Sequence, residues 1–516
     1  MAQQHGDRLT AVDASFLAQE GPTSHMHVGA VMIFEGPAPA YEDLADHVRS
    51  RLHLVPRFRQ KLAFPPLETG RPLWVDDPSF NLEYHVRDTA LPAPGSEAQL
   101  RALAARVHSQ ALDRSKPLWE MWLVQGLEGG RFALLSKTHH ALVDGVAGVD
   151  LATVLFDTTP VPAEVEHADT PWHPRPTPSG LDMVARGVRG LVALPFEAAG
   201  RAVGAAARPG ETLHGTREAL EGLGEVVWAG MNAAPETPLN VEIGPHRRLV
   251  WRRHELSDFK RVKDAFGGTV NDVVLTVVAG ALQKWLRSRG VRTEGLELRA
   301  LVPVSIRARH QRDHMGNRIA AMRGPLPVYV EDPVARLQVV RLAMDGLKDS
   351  KQALGAEVLS GMQALAPPTI FAQASRLNFS TRLFNLIVTN VPGPQFPLYV
   401  LSRELQDLFP VAFLPKRHAL AVAIMSYDGG MDFGLLGDYD AMPDLEQVGD
   451  LLQASLAELL AAAETRAPAT QPASPAGTGA NGKSERRGGE PSGRDGISSR
   501  ARTSRPRTSS PATTEA

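Results

Sequence analysis

A short buried-looking segment, Phe132 to Thr138, stops at two adjacent histidines, and a turn signal follows at once: His139-His140-Ala141-Leu142-Val143-Asp144-Gly145. The segment reads as a buried strand. The stretch beyond the Asp-Gly pair, Val146 to Phe156, is helix-like in its spacing. A chain that places HHxxxDG between a strand and a helix must bring that strand end into its interior. A histidine so placed is held by a rigid element and can still face a cavity, which is what a general base needs.

The pair constrains the chemistry as well. Successive residues on a strand point to opposite faces, so if the strand runs through both, His139 and His140 do not act on one atom. That argues against a metal, for which a strand-borne pair is better spaced as His-x-His. The chain has no Cys and no HExxH, so a zinc site also lacks its usual partners, and no metal is expected. A thiol nucleophile is excluded, and no GxSxG turn presents a serine. What remains is a base acting directly on a substrate. Asp144, followed by Gly145 in the turn, either pairs with an arginine and fixes the loop or orients a ring.

With 516 residues, 43% of them hydrophobic, the chain can fill two cores. A net charge of −2 provides no bulk basic field for nucleic acid. The absence of cysteine fits a reducing cytosol. The first eight residues contain no apolar segment of the signal-peptide kind. No uninterrupted apolar stretch reaches the length of a membrane span. Gly190 to Ala207 comes nearest, and Pro195, Glu197 and Arg201 break it. Such a segment fits a membrane surface better than a membrane interior.

Three composition breaks divide the chain. Six prolines between Pro160 and Pro178 mark an extended connector, followed by an Ala/Gly/Arg-rich crossover stretch from Gly180 to Trp228. A second break, Pro235 to Pro245, precedes a strand-like Arg248 to Leu256. From Thr465 large apolar residues almost vanish, and the composition is that of a disordered tail. The expected organisation is thus residues 1–158 as a first half, 159–245 as connector, 246–464 as a second half and 465–516 as tail. Nine Lys/Arg against four Asp/Glu give the tail +5, a charge suited to anionic lipid or to no partner at all. Within it, Gly477 to Ser484 matches the P-loop pattern. The proline-rich flank before it offers no strand and the flank after it no helix, so no nucleotide is expected there.

Elsewhere strands and helices mix. Val273, Val274, Val277, Val278, Ala281, Leu282, Trp285 and Leu286 form a 3.6-period stripe that predicts a helix over Asn271 to Ser288. Leu296 to Val304 reads as a strand. His418 to Tyr427 and Met431 to Gly437 read as a hairpin about Asp428-Gly429-Gly430, and Asp444 to Ala463 as a closing helix.

From about Leu9 to Ala463 these residues resemble the bacterial wax ester synthase/diacylglycerol acyltransferase family of the chloramphenicol-acetyltransferase-like superfamily. The resemblance rests on Asp13-Ala-Ser-Phe16, Met26-His-Val-Gly29, Pro117-Leu118-Trp119, the HHxxxDG segment, Asn271-Asp272, Val302 to Arg307, Gly316-Asn317 and Asn390-Val-Pro-Gly-Pro394. It implies an α/β (α+β) fold of two similar halves with mixed sheets and a tunnel between them. It also implies acyl transfer from acyl-CoA to diacylglycerol or a long-chain alcohol. His140 would be the base, with no acyl-enzyme and no cofactor beyond the acyl-CoA substrate.

Further candidates follow. His139, Asp144, Gly145 and Asn271 join His140 in the catalytic set, and for Asn271 helix capping is an equal alternative. Pro117, Leu118, Trp119, Asn390 and Gly393 are candidate substrate-binding positions. The neighbouring strand Met121 to Val124 favours core packing for Trp119, and Asn390 has an alternative role in shaping a Pro-Gly turn. Arg307 is the candidate ion-pair partner of Asp144. Nearly insoluble acceptors imply peripheral contact with the inner membrane or a lipid droplet from the cytoplasm. Two other functions share features of the sequence: an amide-forming condensation domain, which also carries HHxxxDG, and a non-catalytic lipid-droplet scaffold. PLW and NVPGP favour the lipid family over the former, and an intact base disfavours the latter.

Overall fold

The strands, in chain order, are β1 (His27–Phe34), β2 (Gln60–Ala63), β3 (Leu73–Asp76), β4 (Val86–Ala90), β5 (Trp119–Gln125), β6 (Phe132–His139), β7 (Arg247–Glu255), β8 (Leu298–Ser305), β9 (Ile319–Leu326), β10 (Leu386–Pro392), β11 (Tyr399–Val400), β12 (Arg403–Val411), β13 (Leu420–Tyr427) and β14 (Gly430–Asp438). The computed structural model describes residues 6–66, 70–142, 155–162, 172–185, 233–305, 319–349 and 380–466. Most of the connector, the P-loop look-alike and the tail lie outside the described residues.

Two six-stranded mixed sheets form, in the orders β11-β12-β1-β6-β5-β4 and β7-β14-β13-β10-β8-β9, and β2 pairs with β3. In the first sheet β4 and β5 run parallel and the other pairs antiparallel. In the second, β10 lies parallel to both β8 and β13.

Period-2 alternation sorts the first sheet between two cores. Val31, Ile33, Ala133 and Leu135 face one apolar cluster, which runs on into the second half. Met32, Phe34, Phe132 and Leu134 face the other. All eight residues of β6 are buried, the polar half Ser136 to His139 included, where the Lys137 ammonium donates to the Val107 carbonyl at 3.1 Å. The predicted central helix is Val270–Ser288, and the whole stripe from Val273 to Leu286 is buried. Each such fully buried side chain contributes roughly 1.5–3 kcal/mol.

The second half also supplies strands to the first. β12 pairs antiparallel with β1, from Gly29↔Val411 to Met32↔Leu408. Where β12 passes β14, a Cβ on Gly434 would sit 1.8 Å from the Pro410 carbonyl oxygen, so only glycine fits. The Tyr427 hydroxyl receives the Leu398 N–H at 2.9 Å and donates to the Leu405 carbonyl at 2.9 Å, tying the β11–β12 hairpin to the second sheet. The predicted β13–β14 hairpin turns at Asp428 (φ 39°) and Gly429 (φ 78°), both left-handed.

Among the described residues no single helix is long and apolar enough to cross a membrane. The bent pair Leu256–Phe266 and Val270–Ser288 passes by length and composition, yet the apolar stripe of its second helix is core.

Candidate active site

β6 ends at His139, and the antiparallel register sets His139 directly opposite His27 on β1. Both rings therefore lie on the face shared with the second half. His140 belongs to a turn, so strand alternation does not reach it. Its N–H is held by the Met26 carbonyl at 2.8 Å, and the His139 N–H by the Leu118 carbonyl at 3.0 Å. Two separately placed backbone segments thus fix the strand end.

The two imidazoles have distinct surroundings. His139 is fully buried; its Nδ1 accepts the Ala141 N–H at 3.0 Å. That leaves the proton on Nε2, which faces Glu20 Oε2 at 3.6 Å. Glu20 terminates the helix Ala11–Gln19. Its Oε2 also accepts from Arg114 Nε at 2.7 Å, and its Oε1 stands 3.4 Å from His27 Nε2. Burial pushes the Glu20 carboxyl up, but His139, His27 and the Arg114 guanidinium outweigh it and hold the group well below the usual carboxylate range.

His140 is half-buried and lies flat on Phe16, with centroids 3.9 Å apart and planes at 19°. Phe413, from the second half, presents its edge at 5.5 Å. Burial first, and the neighbouring His139 second, push its pKa down to about 4. The ring is therefore neutral at pH 7. Among the described residues its Nδ1 is buried without a hydrogen-bond partner.

The other candidates separate into groups. Asp144, Gly145 and Arg307 lie outside the described residues. Pro117, Leu118 and Trp119 are buried. Trp119 is stacked between Phe58 and His85, and its Nε1–H donates to the Phe58 carbonyl at 2.8 Å. The PLW segment, a candidate substrate-binding position in which core packing is favoured for Trp119, is buried here, and it acts on the site through the Leu118 carbonyl that holds His139. Asn271 is not the helix cap: Thr269 is, its hydroxyl accepting the Asp272 N–H while the Asp272 carboxylate accepts the Thr269 N–H. Asn271 instead meets Asn390, whose Nδ2 donates to Asn271 Oδ1 at 3.4 Å. Gly393, just past β10, donates its N–H to the Ser426 carbonyl at 3.0 Å.

Glu20, Arg114 and Phe16 were not singled out by chemistry in the sequence. Phe16 belongs to the Asp13-Ala-Ser-Phe16 segment, but nothing local announces a carboxylate reaching His139 from the end of the first helix.

Residues 9–274 match the wax ester synthase/diacylglycerol acyltransferase catalytic domain, and residues 315–460 match the C-terminal domain of the same family. A probable diacylglycerol O-acyltransferase of Mycobacterium tuberculosis is 35% identical over 460 residues, 88% of this chain and 98% of that protein. A putative one of Mycobacterium bovis is 33% identical over 464 residues, 89% and 97% of the respective chains. The solved wax ester synthase/diacylglycerol acyltransferase of Marinobacter aquaeolei VT8 superposes with a TM-score of 0.62 at 28% identity, covering 89% of this chain and 100% of that one. A starter condensation domain of rhizomide synthetase shares the fold at 13% identity and a TM-score of 0.55, covering 90% of this chain and 96% of that one. The chain is an acyltransferase and belongs to the wax ester synthase/diacylglycerol acyltransferase family.

Proposed function

We propose that this acyltransferase moves a long-chain acyl group from acyl-CoA to the hydroxyl of diacylglycerol or of a long-chain alcohol, with His140 as general base. One observation carries the reading: an uncharged imidazole at the end of a buried strand, stacked on Phe16 and edged by Phe413. Such a ring has a lone pair ready at neutral pH.

In this scheme the acceptor hydroxyl gives its proton to His140 as its oxygen attacks the thioester carbonyl. The tetrahedral oxyanion collapses, the C–S bond breaks, and the thiolate takes the proton back from the imidazolium as CoA leaves. No enzyme nucleophile is used. With Asn271 Oδ1 occupied by Asn390, the Asn271 amide nitrogen keeps donors that suit a developing oxyanion. Glu20 positions the His139 ring and with it the strand end, while Asp144 and Arg307 are proposed to brace the motif from the loop. General-base assistance is worth roughly 10²–10⁴ in rate.

Acceptors this insoluble meet the protein at a membrane or lipid-droplet surface, in a peripheral mode. Flotation with diolein-containing vesicles tests that part, and protein left entirely at the bottom of the gradient contradicts it. For the chemistry, purified protein receives palmitoyl-CoA with diolein or with hexadecanol, and CoA release and lipid product are measured. Ester formed with either acceptor supports the assignment; no release with any acceptor contradicts it.

A further inference from the structure

His139 and His140 are adjacent on the chain, whereas His25-Met26-His27, leading into β1, has the His-x-His spacing of a strand-borne metal pair. Alternation brings two such side chains to one side of the chain, and their rings stack with centroids 5.4 Å apart. Glu20 supplies a third donor. One ligand atom from each of Glu20, His25 and His27 lies within 4.8 Å of the others.

The two Glu20 oxygens divide their duties. Oε2 is taken by Arg114 and faces His139. Oε1 faces His27 Nε2 at 3.4 Å. Zinc bonds of about 2.0–2.1 Å put neighbouring ligands of a tetrahedron about 3.4 Å apart, so this edge is already at ligand spacing. Among the described residues the Nδ1 atoms of His25 and His27 are buried without a hydrogen-bond partner, and His27 is only 3% exposed. His27 Nε2 also receives the Leu112 N–H at 3.4 Å, so the polar capacity left unused on these rings is that of the Nδ1 atoms. Arg114 does not compete for Oε1; it orients the carboxylate from behind, as outer partners of metal ligands do.

We propose that Glu20, His25 and His27 form a binding site for a divalent transition metal of the zinc class, and that its occupation slows acyl transfer. A metal on Oε1 draws electron density from the carboxylate that faces His139, and so loosens the contact that positions the strand end carrying His140. Metal binding does not require the proposed chemistry, although Glu20 serves both; the consequence for rate rests on that chemistry.

Titration calorimetry of tag-free full-length protein with Zn²⁺ tests the site, with Co²⁺ as a spectroscopic substitute that reports tetrahedral nitrogen and oxygen ligands. Wild type is expected to bind one equivalent, and both His25→Ala and His25→Gln to bind at least tenfold more weakly while keeping the wild-type circular dichroism spectrum. Equal binding by wild type and both variants, or no binding by wild type, overturns the site. A separate arm measures CoA release with and without Zn²⁺, each protein against its own metal-free rate. Slowing confined to wild type supports the consequence. Binding without slowing overturns the consequence alone, and a wild type that never releases CoA sinks the proposed function without touching the calorimetry.

Discussion

Glu20 Oε2 stands 3.6 Å from His139 Nε2 while Arg114 Nε donates to the same oxygen at 2.7 Å. A carboxylate from the first helix thus joins a loop arginine to the histidine that ends β6. Replacing Glu20 by Gln keeps the shape and removes the charge. The expected loss is roughly 1.5–3 kcal/mol, the worth of hydrogen bonds to a charged group. The carboxyl is held below its ordinary value, 4.5, so its contribution is full above that pH and is lost as pH falls below it. Denaturant unfolding at pH 7 should therefore separate the two proteins and unfolding at pH 3.5 should separate them less. Identical midpoints at pH 7 contradict the account.

Phe16 holds the His140 ring by stacking at 3.9 Å. Phe16→Leu nearly conserves buried volume and should cost less than about 1.5 kcal/mol of stability. It removes the flat surface, so kcat should fall about tenfold with KM little changed, since a misplaced base harms the reacting geometry more than binding. A kcat equal to wild type would show that the stack does not position the base.

The pH dependence of kcat/KM follows from the neutral ring. An ordinary imidazole at 6.5 loses half its basic form at that pH, whereas burial holds His140 at about 4. The basic form is the active one, so activity is lost only as pH falls through the lower value. The profile should be flat from pH 8 down to about 5.5. An acid limb centred near 6.5 would assign the base a solvated environment that this structure does not give it.

Asn271 and Asn390 touch through one amide hydrogen bond, although 119 positions separate them. If they act as a unit, Asn271→Ala and Asn390→Ala lower kcat by similar factors, and the double variant falls short of the product of the two. A coupling of about 0.5–1.5 kcal/mol is expected. Strict additivity would separate them into unrelated sites.

Local patterns made much of the fold legible. The stripe of Val270–Ser288, the all-buried β6 and the Asp428-Gly429 turn each follow from nearest-neighbour rules. β12 was not legible, because its partner β1 lies several hundred residues earlier and nothing in Arg403 to Val411 names it. The site shows the same divide. His139 and His140 stood out as a motif, and the fold brings them together with Phe16 of the Asp13-Ala-Ser-Phe16 segment and with Glu20 and Arg114, neither of which carries a local signature. The cap at the central helix passed to Thr269 because Asp272, three residues on, completes a reciprocal pair with it that Asn271 has no counterpart to make. The strand was expected to end at Thr138, and its one-residue extension puts His139 on the sheet face with His27 and leaves His140 to the turn.

The central claim is tested most directly by CoA release from palmitoyl-CoA and diolein, compared between wild type and His140→Ala at pH 7 after both show the same unfolding midpoint. A drop of at least roughly 10²-fold in kcat is expected, the lower bound of general-base assistance. Equal release from the two proteins would remove His140 from the mechanism.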